Sequence, residues 1–530
     1  MHRARWLPTL AAVLGAVVLS NCGAPQPPRC SMFRQPGGWH SSAAAFEQAR
    51  GAWQTLAASR DPAARATAAN AYNQAVANLF EKLRCGQHSW QAAASGLGTR
   101  FPSQTVVGVR LEDIRAIFPA SQVNPRKVGG RFTRQGIGLP VVAWIRYDQL
   151  DRSLYPFAPQ DGVPLSLTAV LRFDRGQTPE WRFEPPRELA TVKVGSRDLD
   201  LAADWSASNA FFWHMSDLDN LDLRNVFLPE RFYQRTGIYC PAPYDPAKIP
   251  VVFVHGLKSS PAAFRKMVNR LATEPWFRTR YQAWFFAYPT GTPWTYNAMI
   301  FRNQIHRATA FASAHGSLQN WNKMVLVSHS MGGLICRASV SEPGTFLYDA
   351  WFGVPFARLK GSPKSRELVR ETALYQPLRE PTRVIFMAVP QRGAPLADRF
   401  FANWITNLIR LPKWFVVDML DLTVNNVNRA IPGSPARKGL STSISSLSPG
   451  NPTYKALAQM PFRAGVHRHS ILGDRGRGNP LNSSDGYVPY WSSHLTPVDS
   501  EVFVPSHHSV PDHPAAAAEV ARILKLHLKN

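Results

Sequence analysis

Cysteine is scarce in this chain, with five in 530 residues. None lies in a Cys-x-x-Cys pair or at a Cys/His spacing suited to zinc, so no metal or other cofactor is expected. Long apolar runs are missing too. Beyond the N-terminus no window of 18 uncharged apolar residues occurs, and no membrane-spanning helix is expected there. Acidic residues are few, 35 against 60 Lys and Arg, which leaves a net charge of +25. The basic residues are scattered rather than gathered into a block. No nucleic-acid-binding motif accompanies them, so nucleic acid is not the expected partner. Such a diffuse positive surface is either plainly solvated or drawn to anionic membrane surfaces.

What is present suffices for large buried cores. Hydrophobic residues make up 45% of the chain, including 16 tryptophans, and the length calls for two or three domains. At the N-terminus Arg3 and Arg5 precede an apolar run from Leu7 to Leu19, too short to span a bilayer and laid out as a secretory signal. The run ends in Leu19-Ser20-Asn21-Cys22. This resembles a lipobox, although Asn21 stands where a smaller residue is usual, and it implies lipidation at Cys22. Residues 1–22 are therefore expected to export the chain to a bacterial cell envelope and anchor it to the membrane, with a periplasmic or secreted protein as the alternative. In an oxidising compartment Cys30 and Cys85 could pair, whereas Cys336 reads as a buried thiol.

Three styles of sequence follow. A linker and helical hairpin occupy 23–100, with Phe46, Ala49, Trp53 and Leu56 at helical spacing before Asp61-Pro62, and Tyr72, Val76, Leu79, Phe80 and Leu83 after it. From 101 to 245 the period becomes two, as in Leu165, Leu167, Ala169, Leu171 and Phe173, and a small β-rich domain is expected. From 246 to 530, short apolar runs such as Val251–Val254 and Met324–Val327 alternate with helical segments, the pattern of a mostly parallel sheet flanked by helices. Pro514–Asn530 closes this domain as an amphipathic helix, with Asp512 near its start.

Within that last stretch, Val327-Ser328-His329-Ser330-Met331-Gly332-Gly333 reads as a strand, a tight turn and a helix start. It is close to G-x-S-x-G, with Ser328 in place of the first glycine. A serine hydroxyl becomes nucleophilic when a base removes its proton and a carboxylate orients the base. Downstream, Ser484-Asp485-Gly486-Tyr487 offers the acid, with Asp474 as its rival, and the loop after Glu501–Ser506 offers His507, His508 and His513. Upstream lies Phe253-Val254-His255-Gly256-Leu257, and Val389-Pro390-Gln391-Arg392-Gly393 forms a further turn. Together these motifs resemble lipase-like α/β-hydrolases over about 246–530. The resemblance implies the α/β-hydrolase fold, Ser330 as nucleophile, Asp485 as acid and His508 as base, with backbone N–H groups of Leu257 and Met331 forming the oxyanion hole. An insertion over about 396–465, apolar around Trp404–Met419, is expected to be a lid or a fixed cap. The expected activity is hydrolysis of carboxylic esters, lipid-like ones foremost. An acyltransferase on the same residues and an inactive, surface-anchored binding protein are the alternatives.

Overall fold

The computed structural model describes residues 42–85, 89–106, 108–114, 116–174, 176–216, 235–393, 413–426, 428–432, 450–476 and 480–529. Residues 1–22, Cys30 and half of the 396–465 insertion, including residues 396–412 and 433–449, lie outside these. The chain divides into two compact units, one within Met1–Pro125, Thr133–Gln149 and Pro164–Ser216, the other within Arg126–Phe132, Leu150–Val163 and Asp217–Asn530.

In the first unit the helical pair is α1 (Ser42–Ala58) and α2 (Pro62–Cys85). It shares that unit with a four-stranded sheet of β1 (Ala116–Pro119), β2 (Leu139–Ile145), β3 (Val163–Arg172) and β4 (Glu180–Glu184), in that spatial order. Phe80 of α2 meets Trp181 and Phe183 edge-on, with ring centroids 6.0 and 6.2 Å apart. The Tyr72 hydroxyl donates to the Leu171 carbonyl at 2.7 Å and accepts the Leu171 N–H at 2.9 Å, so the helix satisfies backbone groups of β3 directly. β3 differs from the half-polar strand read in the sequence. Residues 167–171 are buried throughout, and Thr168 goes under by donating to the Ala202 carbonyl at 2.6 Å.

The second unit is an α/β layer structure around seven strands: β5 (Gly237–Tyr239), β6 (Ile249–Val254), β7 (Tyr281–Ala287), β8 (Met324–His329), β9 (Pro381–Met387), β10 (His467–Gly473) and β11 (Ser500–Val504). Their order is β5-β7-β6-β8-β9-β10-β11, parallel except for β5, which pairs antiparallel with β7. Residues 237–239, assigned in the sequence to the β-rich stretch 101–245, thus form the edge strand of the main sheet. Every residue of β6 and of β8 is buried, as wholly apolar runs require when helices cover both faces. Helices α3 (Trp294–Ala314), α4 (Met331–Ser339), α5 (Lys413–Asn426), α6 (Pro452–Gln459) and α7 (Pro514–His527) belong to the same unit. At the start of α7 the cap is His513, which accepts the Ala515 N–H at 3.2 Å, and Asp512, one residue earlier, pairs with Lys266 at 2.8 Å. Of the insertion, α5 is tied to residues 360–364: Asp418 pairs with Lys364 at 3.1 Å, and Asn426 exchanges hydrogen bonds with the backbone of Lys360.

Near the N-terminal ends of the strands a guanidinium is buried between two imidazoles. Arg383 of β9 donates from Nε to His527 Nδ1 at 3.1 Å, and from Nη1 to His469 Nε2. The other ring nitrogens fix the tautomers, His527 Nε2–H donating to the Lys323 carbonyl at 2.8 Å and His469 Nδ1–H to Ser500 Oγ at 2.7 Å. Burial, reinforced by the Arg383 charge, pulls both histidines from 6.5 to about 4. An unfolded imidazole takes up its proton near 6.5, whereas the folded ones stay neutral until about pH 4. Between these values the unfolded chain binds more protons, so stability is lost as the pH falls through this window. Thermal unfolding followed by circular dichroism is expected to shift to lower temperature from pH 6.5 to pH 4. A His469→Gln/His527→Gln double variant should show a shallower slope over that interval, and an unchanged slope contradicts the assignment.

Candidate active site

β8 ends at His329 and α4 begins at Met331, so Ser330 alone makes the reversal between them. Its backbone lies at φ 53°, ψ −127°, a conformation that costs an L-residue about 1–3 kcal/mol and persists only where its surroundings impose it. Those surroundings are specific. The Ser330 N–H donates to the Met387 carbonyl of β9 at 3.0 Å, and Ser328 Oγ donates to the Ile385 carbonyl at 3.0 Å. The serine at position 328 therefore does more than stay small, because it ties β8 to β9. At Gly332 a Cβ would stand 2.3 Å from the carbonyl oxygens of Val254 and His255. Only glycine lets α4 start flush against the end of β6.

Three side chains converge at this turn. His508 Nε2 lies 2.9 Å from Ser330 Oγ, and His508 Nδ1 lies 2.6 Å from Asp485 Oδ2. Asp485 follows β10 and is almost wholly buried, at 1% exposure. Its Oδ1 accepts the N–H groups of Tyr487 and Val488, each at 2.8 Å. Burial works to raise the Asp485 pKa. The hydrogen bond and charge of His508, together with the two backbone N–H groups, outweigh it and hold the carboxyl below the usual range. The group is thus ionised at neutral pH and accepts the Nδ1 proton of His508, which turns the Nε2 lone pair towards the serine hydroxyl. Chemically, this is a hydroxyl with a base in place to take its proton and a carboxylate in place to steady the resulting imidazolium.

The other candidates point elsewhere. Asp474 accepts the Gly476 N–H at 2.8 Å in a local turn. His507 is exposed, and its carbonyl accepts the Ser506 hydroxyl. His513 caps α7. Upstream, β6 delivers His255-Gly256-Leu257 beside the serine: a Cβ on Gly256 would approach Ser330 Cβ to 2.8 Å. Leu257 is half-buried against the core, and Lys258 after it turns the chain at φ 51°. Met331 lies in the first turn of α4, where backbone N–H groups lack intrahelical acceptors.

Two participants were not found in the sequence. His329 Nε2 lies 2.7 Å from the His508 carbonyl oxygen, and Gly473 ends β10 where a Cβ would meet Asp485 Cβ at 2.6 Å. Their neighbours in the chain gave a hint, since one precedes the serine and the other closes the strand before the acid. The partner of His329 lies 179 residues off in sequence, and only the fold brings it in.

No protein-family model matches the chain, and no curated protein matches it in sequence. Solved structures give distant likenesses. A lipase of Bacillus licheniformis in mature form is 18% identical over 53% of this chain and 93% of its own, with a TM-score of 0.31. An esterase of the Planctomycetes species Thermogutta terrifontis is 14% identical over 55% and 88%, with a TM-score of 0.29. Lipase 1 of Pelosinus fermentans is 14% identical over 53% and 98%, with a TM-score of 0.29. The chemistry of the site accordingly rests on its own geometry.

The Nδ1 proton shared between His508 and Asp485 should give a strongly deshielded proton resonance. Gly473→Ala, by forcing Asp485 aside, is expected to shift or abolish this signal, as is Asp485→Asn, whereas Asp474→Asn preserves it. An unaltered signal in Asp485→Asn would show that the proton lies elsewhere.

Proposed function

We propose that the chain is a serine hydrolase of the α/β-hydrolase type that cleaves carboxylic esters through an acyl-enzyme. The observation that carries this reading is the unbroken path Ser330 Oγ–His508 Nε2 and His508 Nδ1–Asp485 Oδ2, built on a serine at positive φ. In the first step His508 takes the hydroxyl proton as Ser330 attacks the ester carbonyl, then returns it to the departing alcohol. In the second, His508 activates water, which releases the acid and restores Ser330. Asp485 stays ionised throughout and stabilises the imidazolium. The N–H groups of Leu257 and Met331 are assigned to the developing oxyanion, each such donor being worth about 3 kcal/mol in the transition state.

A lipid-like ester is the substrate class we favour. On α5 the side chains of Val417, Leu420 and Val424 recur at helical spacing and are all exposed, with Val424 at 73%. This apolar stripe, with the +25 net charge, suits a substrate presented at an anionic lipid surface.

Hydrolysis of a chromogenic short-chain ester tests the reading. Ser330→Ala should lower kcat by a factor of about 10⁴ or more with thermal stability nearly unchanged. Asp485→Asn should cost roughly 10⁴, while Asp474→Asn stays near wild type. Residual activity of Ser330→Ala within tenfold of wild type would refute the assignment.

A further inference from the structure

We propose that His329, the residue before the nucleophile, is a positioning residue that holds the base in register with the serine through its hydrogen bond to the His508 backbone. The inference rests on the catalytic reading of Ser330, His508 and Asp485. His508 sits in the loop between β11 and α7, outside any regular element, and its side chain is 23% exposed. Such a loop would let the imidazole drift unless its backbone were fixed, and displacement of a catalytic group by about 1 Å can cost a factor of about 100 in rate. One bond does the fixing: His329 Nε2 lies 2.7 Å from the His508 carbonyl oxygen, with the two rings 4.8 Å apart. Among the described residues no other hydrogen bond reaches that oxygen.

The direction of this bond settles the state of His329. A carbonyl can only accept, so Nε2 carries the proton and Nδ1 is bare. Nδ1 is in fact buried without a partner among the described residues. Burial above all, and then the His508 charge, pull the His329 pKa down to about 3, so the ring stays neutral while His508 cycles through its charged form. Neutrality matters, because a second cation at this distance would oppose the imidazolium that forms on His508. The consequence is a two-point tether. Consecutive residues 329 and 330 grip one residue, His329 by its backbone and Ser330 by its ring, so strand β8 sets the position of nucleophile and base together.

The test compares three variants by steady-state kinetics on a soluble ester, normalised to active sites titrated with a fluorophosphonate. His329→Gln can place an amide N–H near the position of Nε2. His329→Asn is one methylene short of it, and His329→Leu fills space without a donor. The expected result is a kcat lowered about ten- to a hundredfold in the Asn and Leu variants with KM within about twofold, and recovery to within about threefold of wild type in the Gln variant. Should the Leu variant not fold, the Asn-to-Gln comparison reads the same quantity. Equal kcat per site in all three variants, or equal loss in all three, overturns the positioning role. If Ser330→Ala itself retained hydrolysis, the catalytic reading would have failed instead, and the two failures are thereby distinguished.

Discussion

The reversal of the chain at Ser330 is the constraint on which the second unit depends. A β-strand cannot pass into a helix through one residue without placing that residue at an unfavourable backbone angle, and here φ is 53°. The strain is offset from several sides. Met387 of β9 takes the serine N–H, Ser328 fastens β8 to the same neighbour, and Gly332 allows α4 to lie against the carbonyls at the end of β6. These three contacts need β6, β8 and β9 to be adjacent and parallel, which is the order observed at the centre of the sheet. The hydroxyl therefore stands at the C-terminal edge of the sheet. Loops from β6, β10 and β11 bring Gly256, Asp485 and His508 to that edge.

Electrostatics within this unit follow one scheme, in which buried imidazoles are kept neutral and their tautomers are set by what each nitrogen must donate to. His255, stacked on Tyr288 with ring centroids 4.3 Å apart, is brought down to about 3 by burial, as is His329. His469 and His527 are held near 4 around Arg383. The neutral rings of His469 and His527 accept from Arg383 where a carboxylate would otherwise be needed, which suits a chain with few acidic residues. Asp485 is held differently. It is a buried carboxylate whose charge is retained because a ring N–H and two backbone N–H groups surround it.

Much of this was legible in the sequence, because some demands are local. Apolar runs at Val251–Val254 and Met324–Val327 could only be strands covered on both faces, and a strand running into Ser-His-Ser-Met-Gly-Gly announced the turn. The geometry joins Ser330 to His508 and His508 to Asp485, leaving Asp474, His507 and His513 to local turns and a cap. What escaped the sequence was what depends on residues meeting from afar. Thr168 reads as solvent-facing until the Ala202 carbonyl arrives to bury it. Gly237–Tyr239 has no pattern of its own and becomes a strand only because the edge of β7 is open to it. Arg383 carries no sequence signal for burial, which makes sense only once His469 and His527 are seen on either side.

The central claim is that one serine is activated by one histidine, and active-site labelling addresses it most directly. The intact protein, treated with a fluorophosphonate at neutral pH and mapped by peptide mass, should carry a single adduct on Ser330. The rate of labelling should fall at least about a hundredfold in His508→Ala, since the general base is then missing. An adduct on another residue, or a labelling rate indifferent to the loss of His508, would contradict the account.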